Sequence, residues 1–288
     1  MAHGNVSLYP SRLMLRSHSP DSASHIMLEL RNPHSIKAAL ELRPKAVKLV
    51  HIHSENPGEP WDSVVKLAQE NGVPVRVGAP DLRDHRGQKG GQKGGQQGGQ
   101  KGGQKGGRET ERTGAGSATV EPPSPIPLEF LWNTDEAAAG LWLALDQVQD
   151  PQNLGAIFRL AGFFGVRGIV LTKDRSASVN ATVCDVSAGG AEHVPFAVIA
   201  NLAQAMEKAQ QNQIWVLGTC ERADSTIHAV QRDRNWMLVL GKEGSGLRRL
   251  TRERCDQLAS LPPLGPIPSL NVATAAAACL AILTAPTS

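Results

Sequence analysis

The chain has 288 residues, is 40% hydrophobic and carries a formal charge of +3, which is enough apolar material for two ordinary domains whose cores need no metal or disulfide support. Its four cysteines, Cys184, Cys220, Cys255 and Cys279, are widely spaced, form no CxxC pair and do not cluster with histidine, so a disulfide frame and a zinc site are both disfavoured and reduced core thiols are expected. No run reaches the roughly 18 apolar residues of a membrane span, and the first residues lack the apolar core of a signal peptide, so a cytoplasmic protein with no membrane partner is expected.

About the first twenty residues have no clear period and are expected to lack order. From there, "HIMLEL" reads as a strand, "PHSIKAALELR" as a helix, "AVKLVHIH" as a strand, "PWDSVVKLAQENG" as a helix closed by Gly72, and "VPVRVG" as a further strand. This small α/β unit, placed at residues 1–83, holds no nucleophile–base pair and no phosphate-cradling glycine loop, so it reads as a recognition module. His34, His51 and His53 read as structural or surface residues. Between Gly87 and Gly107 runs a four-residue Gly/Gln/Lys repeat without an apolar residue, expected to be a linker over residues 84–123 that tethers two domains without fixing their orientation. Its lysines, Lys89, Lys93, Lys101 and Lys105, either skim a phosphate backbone or serve a soluble spacer.

The remainder, residues 124–288, reads as a second domain. "IPLEFLW" is expected to form a strand, and from Leu141 apolar strands alternate with helices: "LWLALDQV", "GIVLT", "FAVIA", "IWVLGTC", "WMLVLGKE" and "QLASLP". Such a pattern predicts an α/β fold with a parallel sheet covered on both faces, in which ligands bind beyond the carboxyl ends of the strands.

Three strand ends carry polar signals. In "DQVQDPQNLGAIFR", Asn153 precedes a helix that carries Arg159, an obligate cation suited to a phosphate or a developing alkoxide. In "VLGKEGSGLRR", Gly241, Gly244 and Gly246 allow close approach around Glu243, yet Lys242 lies on the wrong side of the glycines for a Walker loop, and no GxGxxG follows the first strand. The third is "LGPIPSLNVATAAAACLAIL", a Pro-rich corner leading into a helix of small side chains. Taken singly, these residues also read as helix caps, a surface cation and a turn. It is their order at the ends of strands in one sheet that is specific.

"NLGAIFR", "VLGKEGSGL" and "LPPLGPIPSLNVATAAA" resemble the three signature motifs of the SpoU (TrmH) family of RNA 2'-O-ribose methyltransferases, in the SPOUT superfamily. The likeness runs from Leu141 to the end, and "TKDRSASVNATVCDVSAGGAEHVPF" and "IWVLGTC" are most similar to the branch that methylates a guanosine ribose in the peptidyl-transferase region of bacterial large-subunit rRNA. "HSIKAALELRP" resembles that branch's ribosomal-protein-like RNA-binding domain. The resemblance implies a deep C-terminal trefoil knot, S-adenosyl-methionine as cofactor, no metal, an RNA partner and a homodimer. It implies cofactor binding by Thr219, Gly241, Leu261, Ser269, Leu270 and Asn271, and a catalytic set of Arg159, Asn153 and Glu243. A ribose methyltransferase acting on 23S-type rRNA is therefore expected. The alternatives are a tRNA methyltransferase of the same fold and a non-catalytic RNA-binding or ribosome-assembly factor. Three departures stand out: Ala273 replaces a serine of the family pattern, Pro263 replaces a methionine, and the Gly/Gln/Lys repeat replaces a short bridge.

Overall fold

The computed structural model of the protein describes residues 26–78, 114–132, 139–174, 176–242 and 246–285. The first twenty residues, the repeat of Gly87–Gly107 and Glu243 lie outside them. Two compact units divide the chain, one spanning Met27–Glu121 and the other starting at Pro122.

In the first unit, β1 (Leu28–Leu30) leads into α1 (Pro33–Leu42). The helix starts there because Asn32 accepts a hydrogen bond from His34 N at 2.9 Å and Pro33 takes the first helical position, where no N–H is needed. β2 (Val47–Ile52), α2 (Trp61–Glu70) and β3 (Val75–Val77) follow in the expected order. The next element is β4 (Gly116–Val120), inside the segment expected to be linker. It is an inner strand, antiparallel to both β1 and β2 in the order β1-β4-β2-β3. The expected end of the first domain at 83 and the linker over 84–123 are therefore corrected: β4 belongs to the first unit, and in the chain the repeat runs between β3 and β4 of that unit rather than from one unit to the next. Pairing with β1 and β2, far away in sequence, makes "GSATV" a strand, and nothing local in five small residues signals it.

The second unit opens with a correction as well. "IPLEFLW" is no strand, because its core Leu128–Leu131 forms a single turn of 3₁₀ helix behind Pro127. Its carbonyl at Leu131 accepts a hydrogen bond from Trp142 Nε1 at 2.8 Å. The six strands then fall where the apolar runs predict: β5 (Leu141–Leu145), β6 (Gly168–Thr172), β7 (Phe196–Ile199), β8 (Trp215–Thr219), β9 (Trp236–Leu240) and β10 (Gln257–Ala259). All neighbours are parallel, in the order β10-β8-β9-β5-β6-β7. Of the inner strands, β6 and β9 are buried along their whole length because both faces are covered. On one face Trp142, Ala144, Val170, Val216 and Met237 pack with Ala205 and Met206 of α6 (Leu202–Gln211). On the other, α3 (Pro151–Phe163) sets Phe158 edge-on against Phe196 at 5.6 Å. Each valine, methionine and phenylalanine among them contributes about 1.5–3 kcal/mol through burial.

Around α3 pack α4 (Ala181–Ser187), α5 (Gly190–His193) and the terminal α8 (Val272–Leu283). α7 (Arg249–Glu253) lies between β9 and β10 in the chain. No described helix is long and apolar enough to cross a membrane.

Candidate active site

The chain order places the site. After β7 the chain crosses to the far side of β5 to lay down β8, returns to fit β9 between β8 and β5, and leaves again to add β10 at the edge. The carboxyl ends of these last three strands converge on a cavity of about 350 Å³, within the size range of sites for small molecules. Thr219 comes from the end of β8, Leu240 and Gly241 from β9, and Ala259, Ser260 and Leu261 from β10. Ser269 and Leu270 of the Pro-rich corner form a further wall, and Val272, Ala275 and Cys279, on one face of α8, another.

Five of the six residues expected to bind cofactor thus line a single cavity: Thr219, Gly241, Leu261, Ser269 and Leu270. The sixth, Asn271, stands beside it as the cap of α8. Its Oδ1 accepts from Ala273 N at 2.9 Å and Thr274 N at 3.3 Å, and its Nδ2 donates to Asn153 Oδ1 at 2.9 Å. The first and third motifs are joined through that amide pair. Asn153 is not a helix cap: Asp150 caps α3, accepting from Gln152 N at 3.0 Å, and Asn153 sits inside the first turn. Arg159 is exposed on α3 and is not part of the cavity lining. It lies six residues beyond Asn153, about 120° away around the helix axis.

Gly241 has a steric reason to be glycine. A Cβ there would stand 2.3 Å from the carbonyl carbon of Gly246 and 2.5 Å from Leu247 N, because the loop folds back on itself and Gly246 N donates to Lys242 O at 2.9 Å. Gly246 turns the corner at φ +65°, a left-handed conformation that glycine adopts without strain. The far end of the loop is fixed by Asp146, a carboxylate 1% exposed just past β5. Its Oδ2 accepts from Arg248 Nε at 3.1 Å and Thr251 Oγ1 at 3.0 Å, and its Oδ1 pairs with Arg248 Nη2 at 2.8 Å. The backbone N–H of Asp146 donates to Leu240 O at 2.9 Å, so one residue braces the strand before the loop and the helix after it.

The small departures are absorbed locally. Ala273 is buried and its N–H already has Asn271 as acceptor, so the helix start does not need the missing hydroxyl. Pro263 lies in an exposed stretch of the corner. The cysteines are free thiols. Burial pushes Cys279 up to about 11, and burial, reinforced by Asp256 and Cys220, pushes Cys255 up to about 12.

Sequence reasoning missed Asp146 and three cations of the lining, Arg222, Lys242 and Arg252. The signal was present in "CERAD" and "RRLTRER", charged runs just past β8 and β9, where an open parallel sheet puts its ligand site.

The sequence pattern of the SpoU rRNA Methylase family matches residues 140–281. The chain is 32% identical over 247 residues to the 23S rRNA (guanosine-2'-O-)-methyltransferase RlmB of Bordetella pertussis, a match covering 86% of this chain and 92% of that protein. It is 49% identical over 140 residues to the protein of the same name from Pseudomonas aeruginosa, covering 49% of this chain and 56% of that one. Among solved structures, the SpoU methyltransferase AviRb from Streptomyces viridochromogenes, in complex with AdoMet, superposes with a TM-score of 0.68 at 21% identity, covering 90% of this chain and 89% of that one.

Proposed function

Since the chain belongs to the SpoU methylase family, we propose that it is an S-adenosyl-methionine-dependent RNA 2'-O-ribose methyltransferase whose target is a guanosine ribose of 23S-type rRNA in the cytoplasm. The observation that carries this reading is the cavity at the ends of β8, β9 and β10, walled by Thr219, Gly241, Leu261, Ser269 and Leu270 and tied through Asn271 to Asn153.

The residues fit the cofactor. Leu261 and Leu270 offer apolar faces for an adenine ring, while the backbone of the Pro-rich corner and the Ser269 hydroxyl offer polar edges around it. When bound, S-adenosyl-methionine supplies an electrophilic methyl group on a sulfonium. The protein's part is to present a ribose 2'-hydroxyl in line and to ease loss of its proton. Arg159 serves as a fixed cation that favours the developing alkoxide. It works by its field, since a guanidinium is a poor proton acceptor at neutral pH. Asn153, held by Asn271, and Glu243 orient the hydroxyl.

Arg159 is outside the lining of its own chain's cavity, and this supports a homodimer in which Arg159 serves a site completed by both subunits. Phe163 on α3, 81% exposed, and Leu264 and Ile267 in the corner, 103% and 69% exposed, are the apolar side chains that such a contact would cover. On this reading the segment from β10 through α8 forms the trefoil knot of the family. The Met27–Glu121 unit is the RNA-recognition domain on this reading.

Incubation of purified protein with labelled S-adenosyl-methionine and separate rRNA and tRNA transcripts, followed by mapping of the product, tests the proposal. Label is expected on a guanosine ribose of the rRNA; none on either RNA would leave a binding or assembly factor. Arg159→Ala is expected to lower methyl transfer about 100- to 1,000-fold with cofactor affinity nearly intact. Turnover close to that of the parent would remove Arg159 from the mechanism.

A further inference from the structure

We propose that Arg222, Lys242 and Arg252 form an anion subsite at the mouth of the cavity that holds a backbone phosphate of the RNA strand being methylated. The proposal rests on the reading of the cavity as the methyl-donor site and specifies how the second substrate is held there. The three cations come from separate segments, just past β8, just past β9 and on α7, yet all three line the same cavity. Among its described lining residues they face one carboxylate, Glu221.

Their neighbours show how basic side chains here are used when the fold needs them. Arg248 is spent on Asp146, and Arg249 pairs with Glu253 at 3.2 Å on the outer side of α7. No side-chain hydrogen bond or ion pair engages Arg222, Lys242 or Arg252 among the described residues. All three are exposed, so they stay hydrated until an anion arrives.

The chemistry of the two substrates decides which anion that is. S-adenosyl-methionine brings one carboxylate but also a sulfonium and an ammonium, so a rim of three cations is more than it needs and partly repels it. An RNA strand brings one phosphate per nucleotide, and the phosphate on the 3' side is next to the 2'-hydroxyl that must enter the cavity. Holding that phosphate at the rim therefore fixes the hydroxyl at the depth of the methyl group, as an oriented guanidinium or ammonium clamp does. Asp146 contributes indirectly: by pinning Arg248 and Thr251 it sets the position of α7 and hence of Arg252.

The test uses the full chain, a labelled transcript of the large-subunit rRNA and S-adenosyl-homocysteine as the cofactor probe. For the double variant Arg222→Gln/Arg252→Gln, RNA affinity at low salt is expected to fall about tenfold, and the slope of log affinity against log salt to flatten by about 0.7–1 per cation removed. The KM for RNA should rise and kcat should fall severalfold as the hydroxyl loses its positioning, and S-adenosyl-homocysteine affinity by calorimetry should not change. Arg222→Lys/Arg252→Lys, which keeps the charge, should keep the parental salt slope. Unchanged RNA affinity and slope in the glutamine variant would overturn the subsite, as would a loss of S-adenosyl-homocysteine affinity as large as the loss for RNA, which would assign the cations to the cofactor carboxylate. A parental protein that binds no S-adenosyl-homocysteine would instead overturn the reading beneath it.

Discussion

The side-chain amide of Asn271 is divided between two tasks: its oxygen satisfies the first N–H groups of α8, and its nitrogen reaches Asn153 across the motif boundary. From sequence, an asparagine before an apolar helix reads as a cap or as a binding residue. The fold makes it a cap that also connects two motifs, which only the return of α8 onto α3 reveals. Cys279, one of the cavity-lining residues of α8, gives a residue-scale prediction. Its thiol is raised from 9.0 to about 11 because burial penalises the thiolate. The folded state therefore holds the proton more tightly than the unfolded one, and its contribution is complete below pH 9 and is lost as pH rises through about 11. Thermal melts of the parent should weaken by an amount on the order of 2 kcal/mol across that window. Cys279→Ala should flatten the part of the decline that Cys279 causes, and an identical decline in the variant would assign it elsewhere.

At the scale of elements, the loop after β9 is the part of the site most dependent on its supports. Gly241 lets the loop close, and Asp146 anchors its far end. Arg248 is 55% exposed at its side chain while Asp146 is 1% exposed, so breaking the pair leaves the arginine hydrated but the carboxylate's surroundings unsatisfied. Asp146→Asn is thus expected to cost about 1–3 kcal/mol by urea unfolding. It should also weaken S-adenosyl-homocysteine binding severalfold under conditions where the variant is fully folded. A variant that loses stability but binds as the parent does would reduce Asp146 to a core tie. Legibility follows the same physics. β5, β6 and β9 could be read from sequence because burial on both faces imposes uninterrupted apolar runs, whereas β4 and the turn at Leu128–Leu131 could not, since distant partners and a proline decide them. Asp146 stayed hidden for another reason: a buried carboxylate is identified by its partner 102 residues away, not by its neighbours.

On the scale of the whole molecule, apolar exposure supplies the prediction about assembly. Phe163 lies on the motif helix and Leu264 and Ile267 in the motif corner, so these exposed apolar side chains belong to the same elements as the site. Light scattering is expected to give a dimer, and Phe163→Asp a monomer that binds S-adenosyl-homocysteine but transfers methyl groups poorly. A parental monomer with full activity would contradict a shared site.

The placement of β4 between β1 and β2 has an evolutionary consequence. Because both ends of the Gly/Gln/Lys tract are anchored in one sheet, gain or loss of four-residue units by replication slippage changes a closure that begins and ends in the same unit. The closure term grows by only about 0.6 kcal/mol for each doubling in length. The number of residues between β4 and the second unit, the short stretch after Val120, is untouched by such events. Tract length can thus change while the covalent link from the first unit to the second keeps its length.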